Sequence, residues 1–533
     1  MNNKELCTVQ PVNANLKVLS IDPKDIQAAM FWLVLLGAIV ICLHEYTRHL
    51  TRRTRGMVSH LPTYKCLPFI GNMYKFFGDG QNAFHCLEDL TNIMEERGQP
   101  FVLWIGQCCF IVLSDPEEAR MVTNNFLEKP YFYNFARLWL SDGLVTAPVP
   151  IWKHNVKKLV VAFSGSMVDD FLPIFNDQSQ KLQMKLEAEL NCEPFDLLEK
   201  YLAYTTLETV CQTALGEHDV TKTIVTKEYY AAFNGILELI FSRALNIFLH
   251  PEAVYRLTPG FKKFKRCVSV VQNVSDAILK KRRKEMEEAK TSKISDATTK
   301  ENGEVKFKTF LDILLQMSET DHTLTEQHIK AEIDTIILAG QETIATAINY
   351  IFLMLGCKPD VQQKLYKEIK EVFGESKRPV LKEDLSRLTY CEAVIYETLR
   401  LFPPVPGVLR QADRDFKLKS CIVPKGATCC INIWGSGHST HIWGSDALQY
   451  KPERWLDPNV ASMGATALLT FSTGKRACIG KRYAVALMKT VLVHSMREYE
   501  FVSEADKMEL KIDIALRPVS GHLLQVRSRS GVK

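Results

Sequence analysis

No CxxC pair occurs anywhere in the chain, although it holds fifteen cysteines, and no cysteines and histidines stand at the spacing that a zinc site needs. Zinc fingers and ribbons are excluded. The cysteines are scattered and odd in number, with only Cys108-Cys109 and Cys429-Cys430 adjacent, so a disulfide scaffold is excluded too. Most are expected to serve as small buried apolar groups in a reducing compartment. A GxGxxG fingerprint is missing, which leaves the chain without a flavin or dinucleotide site of that type. Excess charge is lacking as well: 66 lysines and arginines face 61 acids, for a net +5, and the basic residues gather in only two short runs. Nucleic acid is therefore not an expected partner. There is no internal repeat, and the one low-complexity stretch, from Lys280 to about Lys308, reads as a helix end running into an exposed charged loop.

What the chain does have is apolar bulk, 46% hydrophobic against 24% charged residues, the composition of a globular protein with a large core. Part of that bulk is one run, IQAAMFWLVLLGAIVICL from Ile26 to Leu43, without a charge. At about 1.5 Å per residue such a helix spans roughly 27 Å, enough for a single crossing of a hydrocarbon core. Arg48, Arg52, Arg53 and Arg55 follow it at once, whereas the residues before it balance three lysines against three acids. The positive-inside rule then puts the rest of the chain in the cytosol and residues 1–25 in the lumen. A cleaved signal peptide is the competing reading, but arginines stand where small cleavage-site residues belong. LPTYKCLPFIGN, with Pro62, Pro68 and Gly71, closes a basic, proline-containing linker over 44–66, and the main domain is expected from residue 67.

Within that domain QKLQMKLEAEL, DVQQKLYKEIKEVF and TEQHIKAEIDTIILAGQETIATAINYIFLML repeat apolar residues at three and four, while strand-like runs are short: FVLWIG, CFIVLS, TCCINIWG and LLQVRS. The fold class is mainly α with small β-sheets.

The chemistry centres on FSTGKRACIG, Phe471 to Gly480, the only cysteine set among glycines and basic residues. Gly474 and Gly480 permit tight turns around Cys478, and the periodic run after it predicts a helix starting at the cysteine. Helix-terminal amides together with Lys475, Arg476 and Lys481 would favour a thiolate there. A thiolate with no second ligand nearby suits a nucleophile or the axial ligand of a haem iron.

The pattern FxxGxRxCxG resembles the haem-binding loop of the cytochromes P-450, and other marks of that family follow the same order along the chain. Glu397 and Arg400 stand three apart on one predicted helix, a spacing that on its own means no more than an ion pair. Arg454 in KPERW resembles the third member of the family's Glu-Arg-Arg cluster. In AGQETI, Ala339 and Gly340 leave helix backbone accessible and Thr343 can turn its hydroxyl onto the Ala339 carbonyl. Glu342 and Thr343 resemble the family's acid-alcohol pair. Upstream, Trp152 and Lys153 match a WxxxR helix, but Val156 occupies the arginine position and the usual preceding glycine is missing. Lys157 or His154 are substitutes, with Arg410 the more natural partner by the family's pattern. The resemblance covers essentially the whole chain and is closest to animal, insect-type microsomal enzymes of the family-four group.

That resemblance implies a haem-thiolate monooxygenase behind a single transmembrane helix in the endoplasmic reticulum. Cys478 would be the iron ligand and Glu342 and Thr343 the proton relay. Arg476, Arg410, Trp152, Lys153, Phe471, Gly474, Gly480, Ala339 and Gly340 would hold haem b. Many family-four members carry a glutamate that esterifies a haem methyl; Ala339 stands there, so the haem is expected to be non-covalent. O2 is the oxidant, and electrons would come from NADPH through NADPH-cytochrome P-450 reductase, with cytochrome b5 as a second donor, near Lys475 and Lys481. An apolar substrate pocket is expected from Phe132, Phe135, Leu138, Trp139, Leu338, Val405 and Val408. Two rival readings are a haem-thiolate isomerase or dehydratase that does not use O2, and a haem-containing binder of apolar ligands that has lost turnover.

Overall fold

A computed structural model describes residues 23–217, 227–295, 309–321 and 324–529. The contacts divide the chain into two compact units with the boundary between Arg53 and Thr54. Helix α1, Pro23–Met57, contains the uncharged run and is long and apolar enough to cross a membrane. It does not end at Leu43 as the sequence suggested. No proline interrupts the arginine-rich segment, so the helix continues to Met57. The residues expected as a linker are not one either. Val58 and Leu61 are buried beside Trp104 and Ile111, and the Val102 N–H donates to the Pro62 carbonyl at 2.8 Å. The expected lumenal tail lies outside the described residues up to 22, as does the charged loop from 296 to 308.

In the larger unit, β1 (Phe101–Ile105) and β2 (Cys108–Leu113) form a hairpin. Helix α2, Val149–Leu159, opens with proline near its N-terminus and carries Trp152 on its buried side. The long helix α3, Glu326–Cys357, is capped by the Thr325 hydroxyl, which accepts from the His328 N–H. It too is apolar enough for a membrane span, but 72% of its apolar stretch is buried in the protein, so its hydrophobicity builds the core. Helix α4, Thr389–Leu401, carries Glu397 and Arg400. Strands β3 (Gly407–Gln411) and β4 (Thr428–Asn432) complete a sheet in which β4 runs parallel to β2 and antiparallel to β3. The strand expected through TCCINIWG stops at Asn432, whose side-chain oxygen accepts the Gly435 N–H at 2.8 Å and starts a short helix instead. Helix α5, Lys481–Glu498, packs with the C-terminal half of α3 in the main core. The last parts used below are β5 (Glu509–Asp513) and β6 (Ala515–Ser520), an antiparallel hairpin.

Candidate functional site

A cavity of about 700 Å³, lined mostly by apolar side chains, lies between α3 and the segment preceding α5. Cys478 stands on its wall. The loop that holds it is tight: the Cys478 N–H donates to the Phe471 carbonyl at 2.9 Å and the Ala477 N–H to Gly474 at 3.1 Å. Gly474 has φ +74°, and a Cβ there would come within 2.7 Å of the Thr123 backbone. Gly474 therefore shapes the loop from behind and does not line the cavity. Gly480 does line it, but with an ordinary φ of −90°, so no turn requires glycine there. Helix α5 begins at Lys481, three residues after the expected start at Cys478.

The Cys478 side chain is accessible, yet the space it reaches is the cavity deep in the protein. Burial pushes its thiol up, against the pull of the Gly480 N–H and Lys481. A nucleophile would need a neighbouring base to overcome that penalty; a metal cation would do the same for a ligand. Among the described residues no group of three His, Cys, Asp or Glu could hold a metal ion. The site offers one sulfur, which fits an iron whose other in-plane ligands come from a macrocycle.

Beside the loop lie three cations, Arg410 buried and Arg476 and Lys129 partly buried. The Arg476 guanidinium sits 4.6 Å from the centre of the Trp152 ring and donates from Nη2 to the Ala147 carbonyl at 2.9 Å, while its Nε and Nη1 have no acceptor among the described residues. Arg410 donates to the Leu409 carbonyl, and its Nε has no acceptor either. Lys129, absent from the sequence expectations, lines the cavity and donates to the Val145 carbonyl at 2.5 Å. Burial, and then mutual repulsion, lowers Arg476 to about 10 and Lys129 well below its ordinary value; burial lowers Arg410. Unused buried donors of this kind fit the carboxylates of a haem.

The WxxxR helix departs from expectation beyond Trp152. Lys153 and Lys157 are exposed, and neither lines the cavity. His154 and Lys158 both engage Asp321, at 2.7 and 2.9 Å.

Ala339, Gly340, Glu342 and Thr343 also line the cavity, and the Thr343 hydroxyl donates to the Ala339 carbonyl at 2.6 Å. Gly340 also serves packing, since a Cβ there would meet Val210 at 2.7 Å. Glu342 is not free. Arg517, from β6, donates to its Oε1 from Nη2 at 2.6 Å and Nε at 3.1 Å. Phe132, Trp139, Leu338, Val405, Val408 and Phe471 line the cavity. Phe135 does not: it lies behind Phe132, with the Arg243 guanidinium 4.3 Å from its ring centre. Leu138 faces out, 48% exposed.

The Glu397 carboxylate accepts from Arg400 at 2.8 and 2.9 Å, from Arg454 at 3.4 Å, from the Lys451 N–H at 2.9 Å and from Trp455 at 3.0 Å. Arg400 turns its remaining donors onto the Gly437, Ala447 and Gln449 carbonyls. The Thr470 hydroxyl, just before the cysteine loop, donates to the Leu399 carbonyl on α4, which ties the cluster to the loop.

The sequence matches the family model Cytochrome P450 over residues 61–525. It is 28% identical over 505 residues to Cytochrome P450 4c3 of Drosophila melanogaster, covering 93% of this chain and 94% of the relative. Identity to Cytochrome P450 4c21 of Blattella germanica is 29% over 482 residues, with 89% and 95% covered. To Cytochrome P450 4V2 of Mus musculus it is 30% over 501 residues, with 92% and 94% covered. A lone cysteine on the wall of an apolar cavity, its Glu-Arg-Arg frame and a match along most of the chain agree: the chain belongs to the cytochrome P450 family, the haem-thiolate monooxygenases.

Proposed function

We propose that this monooxygenase inserts one atom of O2 into a medium or long aliphatic molecule, a hydrophobic signal or a foreign lipophile, with electrons from NADPH. The observation that carries the reading is Cys478 on the wall of the cavity that the Ala339–Thr343 groove also lines, with Arg476 and Arg410 holding unused donors. Haem b would be held by Cys478 at its iron and by Arg476 and Arg410, with Trp152 under the Arg476 guanidinium; bound there it supplies the activation of O2. Ala339 offers no carboxyl for an ester, so the haem is non-covalent.

The remaining work belongs to side chains. Phe132, Leu338, Val405 and Val408 bind the apolar substrate and exclude water. Thr343 is the hydroxyl that passes protons into the groove, and Glu342, held by Arg517, is their source. This retained pair favours monooxygenation over the O2-independent isomerase.

Exposed Lys475 and Lys481 offer a cationic face to an acidic reductase, NADPH-cytochrome P-450 reductase, and to cytochrome b5. The arginines from Arg48 to Arg55 support a single pass through the endoplasmic reticulum membrane, with the tail before α1 lumenal and the catalytic domain, from about residue 58, cytosolic. The test is turnover with purified reductase, NADPH and heavy-isotope O2 on a panel of apolar probes. One labelled oxygen in the product supports the reading; NADPH-independent conversion without label, or binding with no turnover of any probe, contradicts it.

A further inference from the structure

Val156 leaves one side of the haem site without the arginine that the family pattern places there, and no other residue of α2 supplies a cation. Lys153 and Lys157 point to solvent, and His154 and Lys158 are engaged by Asp321. We infer that Lys129, from a different part of the chain, is the replacement: it is a third cation for the haem carboxylates, acting with Arg410 and Arg476. This rests on the haem reading above.

Lys129 lines the same cavity as Arg476 and lies within electrostatic reach of both arginines. Its ammonium has three donors, of which one goes to the Val145 carbonyl, and it sits 4.4 Å from the centre of the Tyr133 ring. Among the described residues none of the three cations has a carboxylate hydrogen-bonded to it, and Glu128, whose charge acts on Arg476, is exposed. Three clustered like charges, one buried and two partly buried, with unused donors and no hydrogen-bonded carboxylate, are unfavourable by themselves. They become favourable with a dicarboxylate in the cavity. The position of Lys129 is built in: Pro130 follows it, and its bond to Val145 closes the segment 130–145, which supplies several of the cavity's lining residues.

The role should be transferable. Val156 is four residues from Trp152, one helical turn along the face whose tryptophan already supports Arg476. An arginine there would approach the same carboxylates.

The experiment measures haem transfer from purified holoenzyme to excess apomyoglobin, for wild type, K129M, K129R, and K129M combined with V156R. Losing a charge-assisted hydrogen bond is expected to speed haem loss in K129M by about tenfold to a hundredfold. K129R should stay near wild type, and V156R should slow the loss again in the K129M background. Transfer from K129M no faster than wild type, or no rescue by V156R, overturns the inference. If K129M purifies without haem, recovery of haem in the V156R combination supports the role and its failure overturns it. Wild type that shows no thiolate-type carbon monoxide band sinks the haem reading itself, which separates the two failures.

Discussion

Replacing Arg400 by leucine tests the frame behind the cysteine loop. Both side chains of the Glu397–Arg400 pair are fully buried, and their two bonds of 2.8 and 2.9 Å leave neither group a route to water. Leucine would strand the Glu397 carboxylate with only Arg454, Trp455 and the Lys451 N–H. It would also remove the donors to the Gly437, Ala447 and Gln449 carbonyls. Removing one partner of a buried pair costs about 3–5 kcal/mol. The contrast is Lys364, whose ion pair with Glu453 is 53% and 35% exposed and contributes at most about 1 kcal/mol. Arg400→Lys should fall between, because an ammonium cannot fill the planar fork. The assay is a urea midpoint on detergent-solubilised holoenzyme, followed by tryptophan fluorescence and by the haem spectrum. R400L shifting no further than K364M would refute the reasoning. So would a double replacement of Glu397 and Arg400 by leucine that costs the sum of the two single changes, since removing both charges should cost less.

Arg517→Met should release Glu342 from its two donors; reducing equivalents are then expected to leave as peroxide at the expense of product, with substrate affinity little changed, as read by NADPH, peroxide and product together. Acid-organic extraction is expected to remove all the haem, because Ala339 cannot form an ester; haem remaining with the protein contradicts that. Burial raises the Glu332 carboxyl to about 7 from its ordinary 4.5. The folded protein therefore holds its proton more tightly, and this contribution, up to about 3 kcal/mol, is full below about pH 4.5 and lost as pH rises through about 7. Glu332→Gln should flatten the fall in unfolding midpoint between acidic and neutral pH, and an unchanged slope would count against it.

How far the sequence carried depended on the range over which each constraint acts. Cys478, Gly474 and Phe471 act within one loop, and Glu397 with Arg400 within one helical turn, so spacing alone placed them together. The Thr343 hydroxyl found Ala339 for the same reason. Lys129 and Arg517 were invisible because the charges they meet lie far along the chain, Arg410 and Arg476 for the one and Glu342, 175 residues away, for the other, and neither stands in a motif. Phe135 and Leu138 show another limit: in the turn from Tyr131 to Leu140 only the fold decides which aromatic or apolar side chain reaches the cavity. Lys153 is exposed because motif register fixes a position on a helix and not the direction of a long side chain. Helix α1 runs beyond the uncharged stretch because hydrophobicity marks the span that a membrane would cover, whereas helix length follows from the absence of a breaker.

The most direct measurement is the carbon monoxide difference spectrum of the reduced, purified protein beside that of Cys478→Ser. The account predicts the red-shifted Soret band of a thiolate-ligated haem in the wild type and its loss in the variant. A wild type that folds without haem, or a band that survives in Cys478→Ser, would contradict the assignment of Cys478 and the monooxygenase chemistry built on it.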